Sequence, residues 1–285
     1  MANTFNPAII YKPIIDEYYT KHDTTNVFEG TADYIGNGEY KVLKIEAGGL
    51  GDYTRHRQAS DVSFASNDVA TNWETIKSDK ERSTTIQMDK MDNLEAFKLA
   101  FDGAIKRFLQ KALVERQARR HAAIASKEGV NKVAKTLTTG EEVIKAIREI
   151  ADYFDDNGVP EEERVLIIRT NLKSMIEDMD NYKSKAVLDT FGTVCKARSE
   201  VMNTKINLSP VNGFTVADDS EEIALMGVQK DAVATGNYYE VQYFDENQVQ
   251  DFLGSKFNYF EKPLNAYVYD NKVDGVYVVT MNSEG

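Results

Sequence analysis

The chain has 285 residues, with 34 Lys and Arg against 46 Asp and Glu and a net charge of −12. A 42% hydrophobic and 28% charged composition excludes a disordered or fibrous chain and is ample for a buried core. The acidic balance argues against nucleic-acid binding as the main task, because that task gains affinity by neutralising phosphates with Lys and Arg. A single cysteine, Cys195, excludes a disulfide within the chain. The 15 tyrosines point to contact surfaces, since Tyr tolerates one end buried and one end wet.

The N-terminal residues carry no Lys or Arg before Lys12, and Pro7 and Pro13 interrupt the apolar positions, so no signal peptide is expected. No apolar run approaches the roughly 18 residues of a membrane span. The expectation is a soluble protein made in a cytoplasm, without a membrane partner. Residues 1–35 carry two apolar patches, Ile9 with Ile10 and Ile14 with Ile15, and then a threonine-rich stretch. That pattern predicts an extended or partly helical arm that packs against something else.

Within residues 36–91, Tyr40–Ile45 and Ser83–Met88 read as strands. Between them Gly48-Gly49-Leu50-Gly51 opens a long polar stretch, Asp52–Lys80, with few apolar anchors beyond Tyr53, Phe64 and Trp73. So few anchors cannot build a core, which predicts a hairpin projecting from the body. From Asp92, with Glu95 as the partner in a capping box, Leu94, Phe97, Phe101, Ile105 and Phe108 recur at helical spacing. The spacing predicts one spine helix to about residue 128, spanning about 50 Å. Its second half is basic. A second capping box, Thr139 with Glu142, opens a helix with Val143, Ile147, Ile150 and Phe154 on one face, stopped at Gly158-Val159-Pro160. Arg164–Arg169 reads as a buried strand, Leu172–Met179 as a short helix, and Ile223–Val228 and Tyr239–Phe244 as strands. Asn265–Tyr269 and Val276–Val279 read as a closing hairpin. The class is α+β.

Motifs with catalytic chemistry are missing. Gly48–Gly51 has neither the spacing nor the following helix of a phosphate loop. Cys195 has no histidine in reach by sequence, and His22, His56 and His121 fall in three different segments, which opposes both a thiol nucleophile and a zinc site. The acidic groups at Asp152-Asp155-Asp156, Glu161-Glu162-Glu163 and Asp218-Asp219-Glu221-Glu222 match no calcium loop. No catalytic, metal or cofactor-binding residue is therefore assigned. The basic stripe of Arg116, Arg119 and Arg120 admits three readings: ion pairs within or between subunits, a solvated face, or loose DNA contact.

The order of arm, projecting hairpin, spine helix and mixed domain resembles the HK97-type major capsid proteins of tailed bacteriophages. Tyr11-Lys12-Pro13-Ile14-Ile15-Asp16 resembles the arm of members from phages and prophages of Gram-positive hosts. Gly49-Leu50-Gly51-Asp52-Tyr53-Thr54-Arg55 is similar to their extended loop, and Thr85–Asp92 to their entry into the spine helix. Phe244-Asp245-Glu246-Asn247 through Tyr269–Tyr277 is similar to their C-terminal region.

The resemblance implies an N-terminal arm at 1–35, an extended loop with flanking strands at 36–91 and a peripheral domain with the spine at 92–138. It implies an axial domain at 139–235, with C-terminal strands at 236–285 returning through both. It further implies a homo-oligomer of hexamers and pentamers closing an icosahedral virion shell around double-stranded DNA held only loosely. Scaffolding protein, portal and decoration proteins are the partners it implies. Because the arm starts almost at Met1, a separate scaffolding protein is expected over a cleaved extension. Covalent linking of loops is not carried over to Lys77 or Lys80. The expected intersubunit contacts are Ile9, Ile10, Ile14, Ile15, Asp52, Tyr53, Arg55, Arg57, Trp73, Arg116, Arg119 and Arg120. Two alternatives remain open: an encapsulin-type compartment of the same fold, and a soluble α+β enzyme with the hairpin as a lid.

Overall fold

The computed structural model describes residues 7–46, 70–78, 80–95, 99–179, 186–209, 213–244 and 253–282. The chain opens with helix α1 (Pro7–His22), followed by strands β1 (Gly30–Gly36), β2 (Glu39–Glu46), β3 (Ala70–Lys77) and β4 (Arg82–Asp89). Helices α2 (Lys90–Glu95) and α3 (Leu99–Ser126) form the spine, and β5 (Asn131–Lys135) follows. Then come α4 (Gly140–Asp156), β6 (Arg164–Arg169), α5 (Thr170–Asp178), β7 (Thr193–Ala197), and the hairpin strands β8 (Ile206–Ser209) and β9 (Gly213–Val216). Strands β10 (Ile223–Gln229), β11 (Val233–Phe244), β12 (Gly254–Val268) and β13 (Val276–Met281) complete the chain.

Two sheets organise these elements. A six-stranded sheet runs β3-β2-β1-β11-β12-β4, and a five-stranded sheet runs β5-β13-β10-β6-β7. In the second, Arg164–Arg169 is buried at every position because both faces are covered. Leu166 and Ile168 turn toward α4 and α5, packing with Ile147, Ile150, Phe154, Leu172 and Ile176. Val165 and Ile167 turn the other way, toward Ala118, Ile124 and Ala125 of α3. The spine thus lies between the sheets. Its first half packs Phe101, Ile105, Leu109 and Leu113 on Tyr239, Val241, Phe257 and Tyr259 of the six-stranded sheet, and its second half caps the five-stranded one.

The Thr139 capping box forms in full, with both reciprocal bonds present. The Asp92 box does not. Asp92 sits inside α2, and Asp89 holds the helix start instead, its Oδ1 accepting from the Met91 N–H at 2.8 Å. Asp89 ends β4, one residue past the expected strand, so the last residue of the strand also serves as the helix cap. Residues 96–98, between α2 and α3, lie outside the described residues, so the expected spine is described as these two segments; α3 alone, at 28 residues, spans about 42 Å.

The closing hairpin is also corrected. Asn265–Val268 lies in β12, paired with β11, whereas β13 pairs with β10 and β5 in the other sheet. The turn at Asp270–Gly275 passes the chain from one sheet to the other. Alternation over two short apolar runs reports strands but not their partners, which is why the sequence read as a local pair.

Gly227 of β10 shows how tightly α4 is seated. A Cβ there falls inside van der Waals contact of Ile150 Cγ2 and the Phe154 ring. Gly227→Ala is expected to destabilise by about 1–3 kcal/mol through overpacking, read as a lower urea midpoint with secondary structure retained.

Candidate assembly surface

Helix α1 does not await another chain for its burial. Ile15 and Tyr19 are buried in the cluster formed by α3 and the six-stranded sheet, while Ile14 faces outward, 53% exposed. Tyr239 Oη donates to Asp16 Oδ1 at 2.5 Å and pins the helix to β11. Ile9 and Ile10 belong to α1, but their side chains lie outside the described residues. Of the expected arm contacts, Ile15 is therefore a core residue of its own subunit.

Past α1 the chain delivers Asp23 beneath the spine. Asp23 Oδ1 accepts from the Thr25 N–H at 2.9 Å and from the Thr25 hydroxyl at 2.5 Å. Its Oδ2 accepts from Arg120 at 3.1 Å and lies 3.9 Å from Arg116. Arg119 donates to Glu261 of β12 at 2.5 Å, and Tyr259 Oη donates to the same carboxylate at 2.8 Å. The Arg116 guanidinium lies over the Tyr19 ring, 3.7 Å from its centroid. On the flank, Arg82 of β4 grips Glu115 with two bonds of 2.9 Å.

These contacts correct the reading of the basic stripe as intersubunit. Arg116, Arg119 and Arg120 are buried inside their own subunit and pair with its own carboxylates. From Ala112 to Ala125 no position of α3 is exposed, so cations in that half need partners from the elements on either side. Of the three readings, ion pairing within the subunit is the one the geometry takes.

His121 continues this buried run. Its Nδ1 donates to the Val201 carbonyl at 3.0 Å, and its Nε2 is buried without a partner. Burial pulls its pKa down to about 4. Cys195 is half-buried on β7, and burial pushes its thiol up, away from the reactive thiolate. Among the described residues no group of three or more metal-ligating side chains converges.

The outer face of the β1–β2–β3 extension is where apolar side chains meet solvent. Its inner face buries Tyr40 and Val42, with the Tyr40 hydroxyl accepting from the Tyr238 N–H at 2.9 Å and donating to the Lys262 carbonyl. On the other face Ile35 is 49% and Trp73 53% exposed, with Leu43 directly across from Trp73. Among the described residues, Ile14, Met91, Val216 and Leu253 are the other large exposed apolar side chains. Trp73 and Ile14 are among the expected contacts; Ile35, Met91, Val216 and Leu253 are not, because an apolar residue outside a buried face carries no separate signal in the sequence. Gly48–Gly51, Asp52, Tyr53, Arg55, Arg57, Phe64 and His56 lie outside the described residues.

The sequence matches no protein-family model and no curated protein. Its fold, however, is shared almost end to end with solved structures. One is the capsid of cyanophage P-SCSP1u, at 14% identity and a TM-score of 0.55 over 89% of this chain and 86% of that one. Another is the virus-like particle from Pyrococcus furiosus, at 11% identity and a TM-score of 0.56 over 94% and 97%. A third is a structure of Mycobacterium phage Bobi, at 12% identity and a TM-score of 0.51 over 90% and 89%. The architecture is the fold that these capsid and particle structures share. More particularly, it is the α+β fold of the HK97 type, with α3 as the spine and the β2–β3 pair as the root of the extended loop.

Two outcomes test this geometry. Asp23→Ala leaves Arg116 and Arg120 buried without their carboxylate, and a loss of about 3–5 kcal/mol is expected in urea unfolding. The isosteric Asp23→Asn recovers little of it, because the missing quantity is charge. Second, His121 is neutral when folded and gains a proton on unfolding below its ordinary value near 6.5. Its contribution is present above that value and is lost as pH falls toward about 4, amounting to about 3 kcal/mol. His121→Gln should flatten the fall in urea midpoint between neutral pH and about 4.5, relative to the unsubstituted chain.

Proposed function

We propose that this chain is the major capsid subunit of a tailed phage or prophage. It assembles as hexamers and pentamers into an icosahedral shell that encloses double-stranded DNA. The observation that carries this reading is the extent of the shared fold: the match to the cyanophage capsid structure covers 89% of this chain and 86% of that one. A shell needs broad surfaces that every copy reuses, and a closed assembly satisfies each patch with its equivalent neighbours. The outer face with Ile35, Leu43 and Trp73 is such a patch.

In this reading the protein is structural, without catalytic activity. The arm at 1–35, the loop at 36–91 and the spine segment at 92–138 mediate contacts around the capsomer, and 139–235 reaches toward its centre. The axial sheet also recruits β5 and β13 from outside that range. Scaffolding protein, portal and decoration proteins are its partners, and the virion is its location. The net charge of −12 keeps the packaged DNA loosely held, since phosphates gain nothing from an acidic lining.

Expression of the chain alone and with its neighbouring genes, followed by size-exclusion chromatography and negative-stain microscopy, tests the reading. Capsomers, shells or tubes are expected. A persistent small monomer under both conditions, with a melting shift on a metabolite, would overturn it in favour of an enzyme. Trp73→Asp is expected to leave the subunit folded, with an unchanged circular dichroism spectrum, and to abolish closed shells; particles of normal yield would remove Trp73 from the contact surface.

A further inference from the structure

A sheet edge is a template on which a strand of another chain can add, and folded proteins guard such edges with charge, proline or bulges. Among the described residues, β3 and β4 are the edges of the six-stranded sheet, and β5 and β7 those of the five-stranded one. Three of the four carry charge along the strand: Glu74 and Lys77 on β3, Lys132 and Lys135 on β5, and Lys196 on β7. β4 does not. Its charges, Arg82 and Asp89, sit at its two ends, and the run Ser83–Met88 between them holds neither a charge nor a proline. It pairs with β12 in unbroken register, so no bulge turns the edge away.

The apolar cover around this edge is also incomplete. Ile86 and Met88 face the spine beside Phe108, yet all three are only partly buried. Past the end of β4, where the Lys90 N–H donates to the Leu253 carbonyl at 3.0 Å, Met91 is 61% and Leu253 63% exposed. On the opposite face of the strand, Ser83, Thr85 and Gln87 are exposed and uncharged.

We propose that β4 pairs with β4 of a second copy, antiparallel about a two-fold axis, joining two six-stranded sheets into one. The inference rests on the shell reading above, which supplies the second copy. A two-fold pair sets each residue against itself or a near neighbour in sequence. Only an edge uncharged along its middle can then pair with itself without like charges meeting. Antiparallel alignment also lays the Arg82 end of one strand beside the Asp89 end of the other, so the terminal charges are of opposite sign. The added strand covers Ile86 and Met88. A two-fold contact alone ends at a dimer, so growth of a shell uses a second patch, for which the Trp73 face is available.

The test places one thiol on that edge. In a Cys195→Ser background, particles of Thr85→Cys are treated with a bifunctional thiol reagent reaching about 8 Å, the diagonal spacing of cross-strand neighbours. A band at twice the chain mass is expected, and none from Thr71→Cys on β3. Thr85→Lys and Thr85→Glu should each abolish closed shells while the circular dichroism of the subunit stays unchanged. A mixture of the two chains should restore them, because opposite charges then face across the axis. Where a charged variant does not fold, Thr85→Cys, which keeps the side chain small, still decides. Shells without a crosslink at Thr85, shells from each charged variant alone, or a mixture no better than its parts would overturn the edge pairing and leave the shell reading intact. A crosslinked dimer that never grows into shells would uphold the pairing and overturn the shell reading; neither dimer nor shell would overturn both.

Discussion

Three guanidiniums buried on one turn of a helix set the terms for everything packed around it. Arg116, Arg119 and Arg120 lie between two sheets, where an unpaired charge costs several kcal/mol. Each element that touches this turn therefore brings something to it. The segment after α1 brings Asp23 and Thr25, β12 brings Glu261, and α1 itself brings the Tyr19 ring. A hydrophobic helix at the same place would pack with less risk. What the charged one adds is a requirement of register: β12 has to present Glu261, and not its neighbour, to Arg119.

That requirement explains why α1 belongs to the body of its own subunit. Its helix buries Ile15 and Tyr19 and leaves most of its other described side chains in solvent, which is modest apolar burial for a helix of 16 residues. Docking gains its specificity from polar contacts at both ends of this short apolar seam, Asp16 with Tyr239 and Asp23 with the arginines. Buried, well-aligned charge pairs break at a high cost, whereas the exposed Lys21–Glu17 pair on the same helix contributes little. The arm is thus held by its root.

The sequence was most legible where one local rule decided the outcome. The Thr139 capping box, the apolar face of α4 and the continuous run Arg164–Arg169 each depend on neighbours in the chain, and each formed as read. It was least legible where the partner is distant. Asp23 is an ordinary polar residue in a threonine-rich stretch until the fold places it under a helix almost a hundred residues later. For the same reason Arg116, Arg119 and Arg120 left three readings open: composition reports charge, but burial depends on what covers it. The pairing of β12 and β13 with different sheets is a further case, since alternation marks a strand's face and is silent about its neighbour. Exposed apolar residues were not legible either, because an exposed Ile35 differs from a core isoleucine only by position.

In the proposed shell, a subunit that buries Ile15 and Tyr19 of its arm in its own core leaves a limited surface to its neighbours, and this bears on how such a shell would close. On the β1–β2–β3 extension every second side chain faces outward, so Leu43 and Trp73 form a small apolar pair, set apart from Ile35 by the polar row of Asp33, Lys41 and Thr75. At about 25 cal/mol per Å² of buried apolar area, such small patches give each copy only a few kcal/mol, against an association cost of comparable size. One contact is therefore reversible, and a misplaced subunit can leave. A ring of copies makes the same contact many times over, and closure removes the last open edges. Strong internal pairing and weak external patches are complementary demands: the first keeps the subunit rigid enough that the second adds up only in the correct geometry.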